Sequence, residues 1–448
     1  MATAHVVVDV GYGDAGKGAY VDWLVDRHRS TLVVRVHGGA QAGHNVVAPD
    51  GRHHTFSQFG AANLQPGVRT LHGPGMIVAP LAWQAEAKHL QQLGVRNPLG
   101  LLTVDRRCRV TTPLHQATNR IRERLRGAGR HGSCGIGVGE TVRDGLQAGE
   151  EALVAGDLAN VAATRAKLAG LRARLLADVG DQLVAARTQS PQDVWVLADA
   201  PLADIAQLLH AAAAPVRMVG PDEVATVVAQ AGDLVIEGAQ GVLIDEWAGF
   251  HPFTTWSTCT TASANQFLRE VGWLGLVLRH GVVRSHMVRH GAGPLVGEDP
   301  ALTQTLPEGH NRPHDWQGTV RKGRLDLVAL RYALDVCSDI DDLAVTHLDQ
   351  LPLLPDHPWV TGWQCADADR DWVAQAQGDV VTRLALPTPP DLDRQVRLTA
   401  LAQRAVAVTG GPALADAQAW LTELGQRLGL PVVAGADGMT RLGWRDLT

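Results

Sequence analysis

Lysine is scarce in this chain of 448 residues, and so are cysteine, tyrosine and phenylalanine. Arginine supplies nearly all of the 40 positive side chains, and 46 carboxylates outnumber them to give a net charge of -6. That balance provides no cationic field for a phosphodiester backbone, which argues against nucleic-acid binding as the main function. Lys17 is one of only four lysines, so its position in the chain is informative.

The five cysteines are too few and too scattered for a disulfide framework. They are odd in number and include no C-x-x-C pair, which also argues against a zinc knuckle. A reduced, cytoplasmic environment fits such a chain best. The first residues lack the basic and apolar regions of a signal peptide, and no run approaches the roughly 18 apolar residues of a membrane helix. We therefore expect neither export nor membrane association.

Apolar runs alternate with helical segments along the whole chain. The first three are a strand over residues 5–10, a helix over 17–28 and a strand over 32–36. A strand, a helix and a strand within about 30 residues predict a βαβ unit, whose two strands we expect to be parallel neighbours. The pattern continues, and it predicts one large α/β domain over residues 1–448 with a central, mainly parallel sheet.

Later segments extend this pattern. Helices are predicted over residues 80–93, 114–125, 150–186, 325–336 and 413–428, from helix propensity and apolar spacing. Strands are predicted over residues 194–197, 234–236, 274–278, 343–348, 406–408 and 432–433, from short apolar runs rich in β-branched residues.

A phosphate-binding loop over residues 11–18 follows the first predicted strand. Its first seven residues read Gly-Tyr-Gly-Asp-Ala-Gly-Lys, which is the spacing G-x-x-x-x-G-K, and a predicted helix begins at Lys17. The glycines let backbone N–H groups face a polyphosphate, and the helix N-terminus adds a positive dipole. Lys17 would reach between the phosphates as a point charge.

Gly18 follows this lysine, where such loops have a Ser or Thr hydroxyl that binds Mg²⁺. The metal therefore needs another ligand, and Asp14 within the loop is a hard oxygen donor of suitable type. Two other interpretations of Asp14 are a general base beside the γ-phosphate and a turn residue that caps its own backbone.

A second glycine loop over residues 38–45 follows the next predicted strand. Because parallel strands end at one edge of a sheet, both loops should open at the same place. His44 in this loop would be well placed as a general acid or as a stabiliser of a transferring phosphoryl group. Taken alone, a loop histidine is more often solvated or capping, and its pairing with the phosphate loop favours a function.

The two loops together resemble the signatures GDEGKGK and NAGHT of adenylosuccinate synthetases. Other segments resemble that family in the same order along nearly the whole chain. They are EGAQGVLID at 237–245 (family EGAQGTLLD), TTA at 260–262 (TTAGG), RHGAGP at 289–294 (RVGAGP), RKGRLD at 321–326 (RTGWLD), THLD at 346–349 (TKLD) and AGAD at 434–437 (SxGPD).

This resemblance implies a two-step, GTP-dependent ligation. GTP phosphorylates the 6-oxo group of IMP, and the amine of aspartate then displaces the phosphate. By position, Asp14 would be the base and a Mg²⁺ ligand, His44 the acid, and the carbonyl of Gly43 a second Mg²⁺ ligand. The GTP phosphates would be held by Gly13, Gly16, Lys17 and Gly18.

The resemblance also assigns the two purine sites. Asp349 would accept hydrogen bonds from guanine N1–H and the amino group, within segments 346–349 and 434–437 that also contain His347 and Gly435. The acceptor nucleotide would contact Gln41, Ser133, Arg143, Gln240, Thr261 and Arg289. Arg143 matches an arginine that the family lends across a dimer interface, which predicts a homodimer.

The substrate loops depart from the family pattern. In loop 130–143 the family's GTTGRGIGP becomes HGSCGIGV, which retains Ser133 and His131 as polar candidates. In loop 298–324 the run that grips aspartate is reduced to Arg321, Lys322 and Arg324. The lysine and serine beside the guanine become His347 and Ala434, which weakens the prediction of GTP over ATP.

The residues of phosphoryl transfer are retained while the substrate grips are altered. We therefore interpret the chain as a working GTP-dependent ligase whose acceptor and amine have changed from IMP and aspartate. Three alternatives remain: an ordinary adenylosuccinate synthetase, a nucleotide-binding regulator without ligase turnover, and a kinase that only phosphorylates its acceptor.

Overall fold

Strands and helices alternate through the part of the chain that the structure describes. The computed structural model describes residues 2–130, 132–309, 316, 318–354, 358–365, 370–386, 389–411 and 416–447. In chain order the strands are β1 (Thr3–Asp9), β2 (Leu32–Arg35), β3 (His44–Val47), β4 (His53–Phe56), β5 (Arg69–His72), β6 (Ile77–Val78), β7 (Leu102–Asp105), β8 (Arg109–Val110), β9 (Arg217–Val219), β10 (Leu234–Glu237), β11 (Leu276–Arg284), β12 (Met287–His290), β13 (Val320–Gly323), β14 (Leu325–Asp326), β15 (Asp342–Thr346), β16 (Trp359–Gln364), β17 (Val373–Gln377), β18 (Val380–Leu384), β19 (Val406–Gly410), β20 (Val432–Ala436) and β21 (Trp444–Asp446).

Helices are distributed among these strands along the described part of the chain. They are α1 (Lys17–His28), α2 (Pro80–Gln92), α3 (Pro113–Leu125), α4 (Val138–Ala148), α5 (Val161–Val179), α6 (Gln182–Gln189), α7 (Pro191–Ala198), α8 (Leu202–Ala213), α9 (Pro221–Ala229), α10 (Ala262–Glu270), α11 (Pro300–Thr305), α12 (Leu327–Cys337), α13 (Leu392–Arg404) and α14 (Ala417–Leu428). Among the described residues, no helix combines the length and apolar character needed to cross a bilayer.

The central sheet has the strand order β21-β20-β15-β11-β1-β10-β2-β5-β7-β9. Neighbouring strands are parallel throughout, except for the antiparallel pair β20–β21 at one end. β1 lies near the middle and is buried from Ala4 to Asp9, as expected of a β-branched run covered on both faces. The predicted α/β fold with a mainly parallel sheet is confirmed.

The prediction that β1 and β2 are neighbours is wrong. β10 lies between them and pairs in parallel with both, through Val6–Ile236 and Ile236–Val34. Local strand–helix–strand spacing predicts a parallel orientation, but it does not exclude the insertion of a strand from far along the chain. The loops after β1 and β2 still open at the same edge of the sheet.

Residues 194–197 were predicted as a strand, and they belong to helix α7 instead. A run of four apolar residues fits either element, and here Pro191 begins a helix that buries Val194 and Leu197 on one face. The long helix predicted from residue 150 begins at Val161, because the Asn160 side chain caps it by accepting from two backbone N–H groups.

A second sheet, which the sequence pattern did not predict, is formed by β14, β16, β17, β18 and β19. β16 pairs antiparallel with β18 and β19 and in parallel with β14. Buried tryptophans fill the space around this sheet, and they are Trp359, Trp363, Trp372 and Trp420. The tryptophans thus contribute to a core of their own beside the central sheet.

Several histidines are buried in the central sheet or next to it. Burial lowers the pKa of His5, His37 and His72 to about 3. His72 Nε2 lies 2.6 Å from the backbone oxygen of Gln58, so this nitrogen donates and the ring is neutral.

We expect acidification to destabilise the protein through these histidines. The unfolded chain binds protons below a pKa of about 6.5 whereas the folded chain does not, so stability is lost from about pH 6.5 downward. For His72→Gln, the slope of unfolding free energy against pH should be smaller by up to about 1.4 kcal/mol per pH unit. Urea unfolding between about pH 4 and 6.5 measures that slope. An unchanged slope, or an equal change in the control His53→Gln at an exposed position, would contradict this expectation.

Candidate active site

The phosphate loop is organised by a carboxylate at the end of β1. Asp9 accepts hydrogen bonds from the backbone N–H groups of Gly11, Gly13 and Ala15, at 2.8, 3.4 and 2.9 Å. Its Oδ2 also lies 3.1 Å from the ammonium of Lys17, and both side chains are buried. The loop therefore closes around an internal anion supplied by the chain itself.

Lys17 is fixed by a second contact from across the sheet. Its ammonium donates to the backbone oxygen of Gln240 at 2.6 Å. The segment after β10 approaches the loop so closely that a Cβ on Gly241 would lie 2.3 Å from the nitrogen of Gly13. Glycine is thus required at 241, and the close approach brings Gln240 to the phosphate loop.

Asp9→Asn is expected to lower the unfolding free energy by about 3–5 kcal/mol, because it leaves a buried ammonium without its counter-charge. Urea denaturation at neutral pH measures this loss. Asp50→Asn is the matched control, since Asp50 is an exposed carboxylate paired with Arg52. Equal unfolding midpoints for the two variants would show that the buried pair does not stabilise the loop.

The second glycine loop positions His44 against a buried carboxylate. His44 Nδ1 contacts Glu237 Oε1, and Glu237 Oε2 accepts from the backbone N–H of Ala61 at 3.0 Å. Burial would raise the pKa of Glu237, but Arg35 and His44 hold it below its ordinary value. Burial lowers the pKa of His44, and Glu237 opposes that shift. The contact keeps Glu237 ionised and fixes the imidazole through Nδ1. Nε2 is then the ring nitrogen that is left to interact with a group in the cleft.

Gly18 is the point where the two loops meet. A Cβ at this position would lie 2.9 Å from the Cβ of His44 and 3.1 Å from the backbone oxygen of Asn45. The second loop therefore occupies the space in which other phosphate loops keep a hydroxyl. The geometry explains why glycine follows Lys17.

Gly18→Ser is expected to reduce GTP turnover by about tenfold or more, because displacing His44 by a few tenths of an ångström misplaces its imidazole. Phosphate release from GTP measures the effect. Gly220→Ser is the control, since a Cβ there meets open space and Gly220 precedes α9. Higher turnover in Gly18→Ser, from a restored metal-binding hydroxyl, would contradict this account.

A cleft of about 1140 Å³ opens at the carboxyl edge of the central sheet. Most of the predicted site residues border it, and they are Gly13, Asp14, Gly16, Lys17, Gly18, Gln41, Gly43, His44, Ser133, Arg143, Gln240, Arg289, His347 and Asp349. The described residues that were predicted for the site but do not border this cleft are Thr261, Arg321, Lys322, Arg324 and Gly435.

The cleft offers part of a coordination shell for a hard cation. Asp14 and Gly43 both border it, one with a carboxylate and the other with a backbone carbonyl. Within the described ranges, no group of three or more His, Cys, Asp or Glu side chains is placed to hold a metal. Magnesium keeps several waters and binds phosphate oxygens, so two protein donors fit it when a nucleotide is bound.

Comparison with known proteins places this chain in a family. The sequence profile of the family described as "Adenylosuccinate synthetase" matches residues 6–382. The chain belongs to the adenylosuccinate synthetase family. The synthetase of Thioalkalivibrio sulfidiphilus is 32% identical in an alignment 381 residues long that covers 82% of each chain. That of Alkalilimnicola ehrlichii is 29% identical in an alignment, gaps included, 452 residues long that covers 98% of this chain and 97% of its own.

Solved structures show the same fold. The fully ligated adenylosuccinate synthetase of Plasmodium falciparum superposes with a TM-score of 0.78 at 19% identity and covers 99% of both chains. The succinoaminodeoxyadenylate synthetase of cyanophage S-2L, bound to dGMP and to dATP as an energy donor, gives a TM-score of 0.54 at 14% identity. It covers 95% of that chain and all of this one. The predicted enzyme class, a GTP-dependent C–N ligase of adenylosuccinate synthetase type, is confirmed.

Two side chains of loop 130–143 that were predicted to contact the acceptor, Ser133 and Arg143, pair with helices α3 and α5 of the same chain. Ser133 and the side chain of Asn119 exchange hydrogen bonds at 2.9 and 3.2 Å. Arg143 donates to Asp178 of the same chain at 2.8 Å, and Arg122 contacts the same carboxylate. His131 lies outside the described residues.

The three cations predicted for the amine are bound within their own loop region. Arg321 donates to the carbonyls of Gly291 and Gly293 and pairs with Glu298 at 2.5 Å. Lys322 is buried and donates to the carbonyl of Leu306 at 2.5 Å. Arg324 lies 3.8 Å from Asp299. None of these three cations borders the cleft.

The remaining predicted residues lie at different depths. Arg289 borders the cleft and donates to three backbone carbonyls, while its guanidinium stacks 4.4 Å from the ring centre of Tyr12. Burial lowers the pKa of Arg289 to about 10. Thr261 is buried and donates to Asp339 at 2.5 Å, at the start of α10. Gly435 lies within β20, where a Cβ would meet Leu348 at 2.8 Å.

The segments that were predicted to bind guanine lie beside the phosphate loop. Thr346 at the end of β15 donates to the backbone oxygen of Ala15 at 2.7 Å, which joins this strand to the loop. His347 follows with a φ of 60° and contacts the Thr346 hydroxyl at 2.9 Å. Burial raises the pKa of Asp349 above its ordinary value, and Asp437 adds to the shift.

Sequence reasoning missed three residues of this site: Asp9, Glu237 and Arg35. A carboxylate at the end of an apolar strand run was the available signal for Asp9, and Glu237 opens the matched EGAQG segment. Arg35 at the end of β2 is fully buried and donates to the carbonyls of Ser57 and Phe59 at 3.3 Å. Their importance depends on contacts between segments that are far apart in the chain.

Proposed function

We propose that this enzyme uses GTP to phosphorylate the oxo group of a purine acceptor, then replaces the phosphate with an amine, and that its acceptor and amine differ from IMP and aspartate. The observation that carries the proposal is a contrast within one cleft. Asp14, Lys17 and the His44–Glu237 pair border or support it, whereas the polar groups for an acceptor phosphate and a dicarboxylate are replaced or bound elsewhere.

The chain's own groups would divide the chemistry as follows. Asp14 accepts the proton from the acceptor ring, which makes its oxo group a nucleophile. His44, held by Glu237 at Nδ1, would donate from Nε2 in its imidazolium form to the transferring phosphoryl group as negative charge develops on that group. Lys17 and the N–H groups of the phosphate loop, at Gly13, Gly16 and Gly18, hold the GTP phosphates in line.

Magnesium is the implied metal, and Asp14 and the carbonyl of Gly43 would hold it. When bound, Mg²⁺ neutralises charge on the phosphate oxygens. Asp349 would recognise guanine by accepting from two N–H donors, with His347 beside the base, whereas Gly435 lies within β20 and does not border the cleft. Since His347 and Ala434 replace the family's polar residues, GTP over ATP stays a prediction.

The acceptor would bind between the two glycine loops and loop 130–143, in contact with Gln41, Ser133, Arg143, Gln240 and Arg289, whereas Thr261 is buried outside the cleft. A phosphate there needs free cationic or N–H donors. Arg143 is neutralised by Asp178 of its own chain, which favours an acceptor with a smaller or repositioned anionic group. The homodimer, in which Arg143 would reach across, stays a prediction.

The amine would approach from loop 298–324, with Arg321, Lys322 and Arg324 as its predicted cationic partners. Arg321 and Lys322 each donate to backbone carbonyls of neighbouring segments, so gripping two carboxylates would require both to leave those contacts. This cost favours an amine with fewer carboxylates than aspartate. Five free thiols support a reducing, cytoplasmic setting.

Ordinary adenylosuccinate synthesis is the second candidate. It is favoured by the names of the curated relatives, two of which are described above. The cyanophage protein is described as binding dGMP and dATP rather than IMP and GTP, so the fold alone does not fix the substrates.

The deciding experiment is phosphate release by the purified protein with Mg²⁺ and GTP, with acceptors and amines varied one at a time. The panel contains IMP, inosine, GMP and dGMP as acceptors, with aspartate, glycine and alanine as amines. Mass spectrometry identifies any C–N adduct, which separates a ligase from a kinase or a GTPase.

We expect release that depends on both an acceptor and an amine, with the IMP–aspartate pair at least about tenfold less efficient in kcat/KM than another pair. The highest efficiency with IMP and aspartate would favour the ordinary synthetase. Phosphorylated acceptor without an adduct would contradict ligation, and GTP binding without turnover by any pair would support a regulator.

A further inference from the structure

His290 lies at the end of β12, where its ring faces the carboxylate of Asp14 across the cleft. His290 Nε2 is 3.3 Å from Asp14 Oδ2, and both residues border the cleft with Lys17, His44 and Gln240. In the family motif RVGAGP this position is a valine, whereas the chain has RHGAGP. An imidazole has thus replaced an apolar side chain directly beside the proposed base.

The tautomer of His290 follows from its surroundings. Nδ1 is buried without a hydrogen-bond partner in the structure. A buried N–H without an acceptor is costly, so the ring carries its proton on Nε2, the atom that faces Asp14. With this placement of the proton the imidazole presents an N–H to the carboxylate.

The strand end that carries His290 is held firmly. β12 pairs antiparallel with β13, with His290 opposite Val320. On one side the Arg289 guanidinium binds three carbonyls, and on the other the Gly291 carbonyl accepts from Arg321 at 3.0 Å. A side chain on such a rigid element can fix the position of a partner.

Asp14 needs such a partner because its own loop does not fix its side chain. Its φ is 59° and its backbone oxygen accepts from Arg284 at 3.3 Å, so the main chain is held. The carboxylate is about one-third exposed. Among the described residues, the ion-pair contact of this carboxylate is with His290. Rotation about the side chain would move the base away from the acceptor.

We propose that His290 is a positioning residue that orients the Asp14 carboxylate through its contact with Oδ2. The proposal rests on the proposed function insofar as Asp14 is the base. It assigns to His290 a role that the family's valine cannot perform, since valine has no N–H to donate.

Two variants and a control test this role in the full-length enzyme. His290→Val removes the imidazole, and His290→Gln keeps an N–H at about the position of Nε2. His210→Val is the control, because His210 in α8 contacts the carbonyl of Leu158 away from the cleft. Steady-state kinetics use MgGTP with the acceptor and amine that the wild-type enzyme turns over best.

We expect His290→Val to lower kcat by about tenfold to a hundredfold, the range for a misplaced general base, with KM changed by less than about threefold. His290→Gln should retain kcat within about threefold, and His210→Val should match the wild type. Wild-type kcat in His290→Val, an equal loss in both variants, or a loss confined to KM would overturn the proposal.

A crystallographic comparison tests the positioning role without turnover. In the wild-type enzyme the Asp14 carboxylate should contact His290, and in His290→Val it should adopt a different side-chain rotamer. An unchanged carboxylate would overturn the proposal. This experiment needs no substrate. If every acceptor in the panel failed, the proposed function would be refuted, and the crystal structures would still show whether His290 positions Asp14.

Discussion

A buried ion pair between Asp9 and Lys17 sets the geometry on which the rest of the site depends. The carboxylate of Asp9 gathers three backbone N–H groups of the phosphate loop, and the ammonium of Lys17 joins it at 3.1 Å. Breaking a buried pair costs far more than an exposed one gains, so this contact strongly constrains the loop. The carboxylate of Asp9 thus shapes in advance a loop that is predicted to bind the phosphates of a nucleotide.

The same constraint extends to the neighbouring strands. Lys17 also holds the carbonyl of Gln240, which brings the segment after β10 against the loop. β10 in turn ends in Glu237, the partner of His44 from the second loop. The insertion of β10 between β1 and β2 is therefore what joins the phosphate loop and the histidine loop into one site.

The two halves of the cleft differ in how their polar groups are satisfied. Near the phosphate loop the catalytic groups have a few fixed partners and still border the cleft, as His44 does. Near the substrate loops the arginines are bound by carboxylates or carbonyls of the same chain, as Arg143 is by Asp178 and Arg321 by Glu298. The fold as a whole is shared with the Plasmodium falciparum enzyme at 19% identity.

The sequence by itself determined the α/β class, both glycine loops and the helix from Lys17 to His28. These features are local, because glycine spacing and apolar periodicity act within one or two elements. Matched motifs in collinear order also indicated the family, and most of the site residues predicted from them border the cleft. The segment 194–197 shows the limit, since four apolar residues carry too little periodicity to separate helix from strand.

Only the tertiary structure decided which groups meet. The positions of Asp9, Arg35 and Glu237 depend on contacts between strands that are distant in sequence, and the insertion of β10 has no local signal. Long cationic side chains can reach many partners, so the pairing of Arg143 with Asp178, and of Arg321 with carbonyls, could not be read from spacing. His290 meets Asp14 for the same reason: two segments about 270 residues apart are brought to one sheet edge by packing.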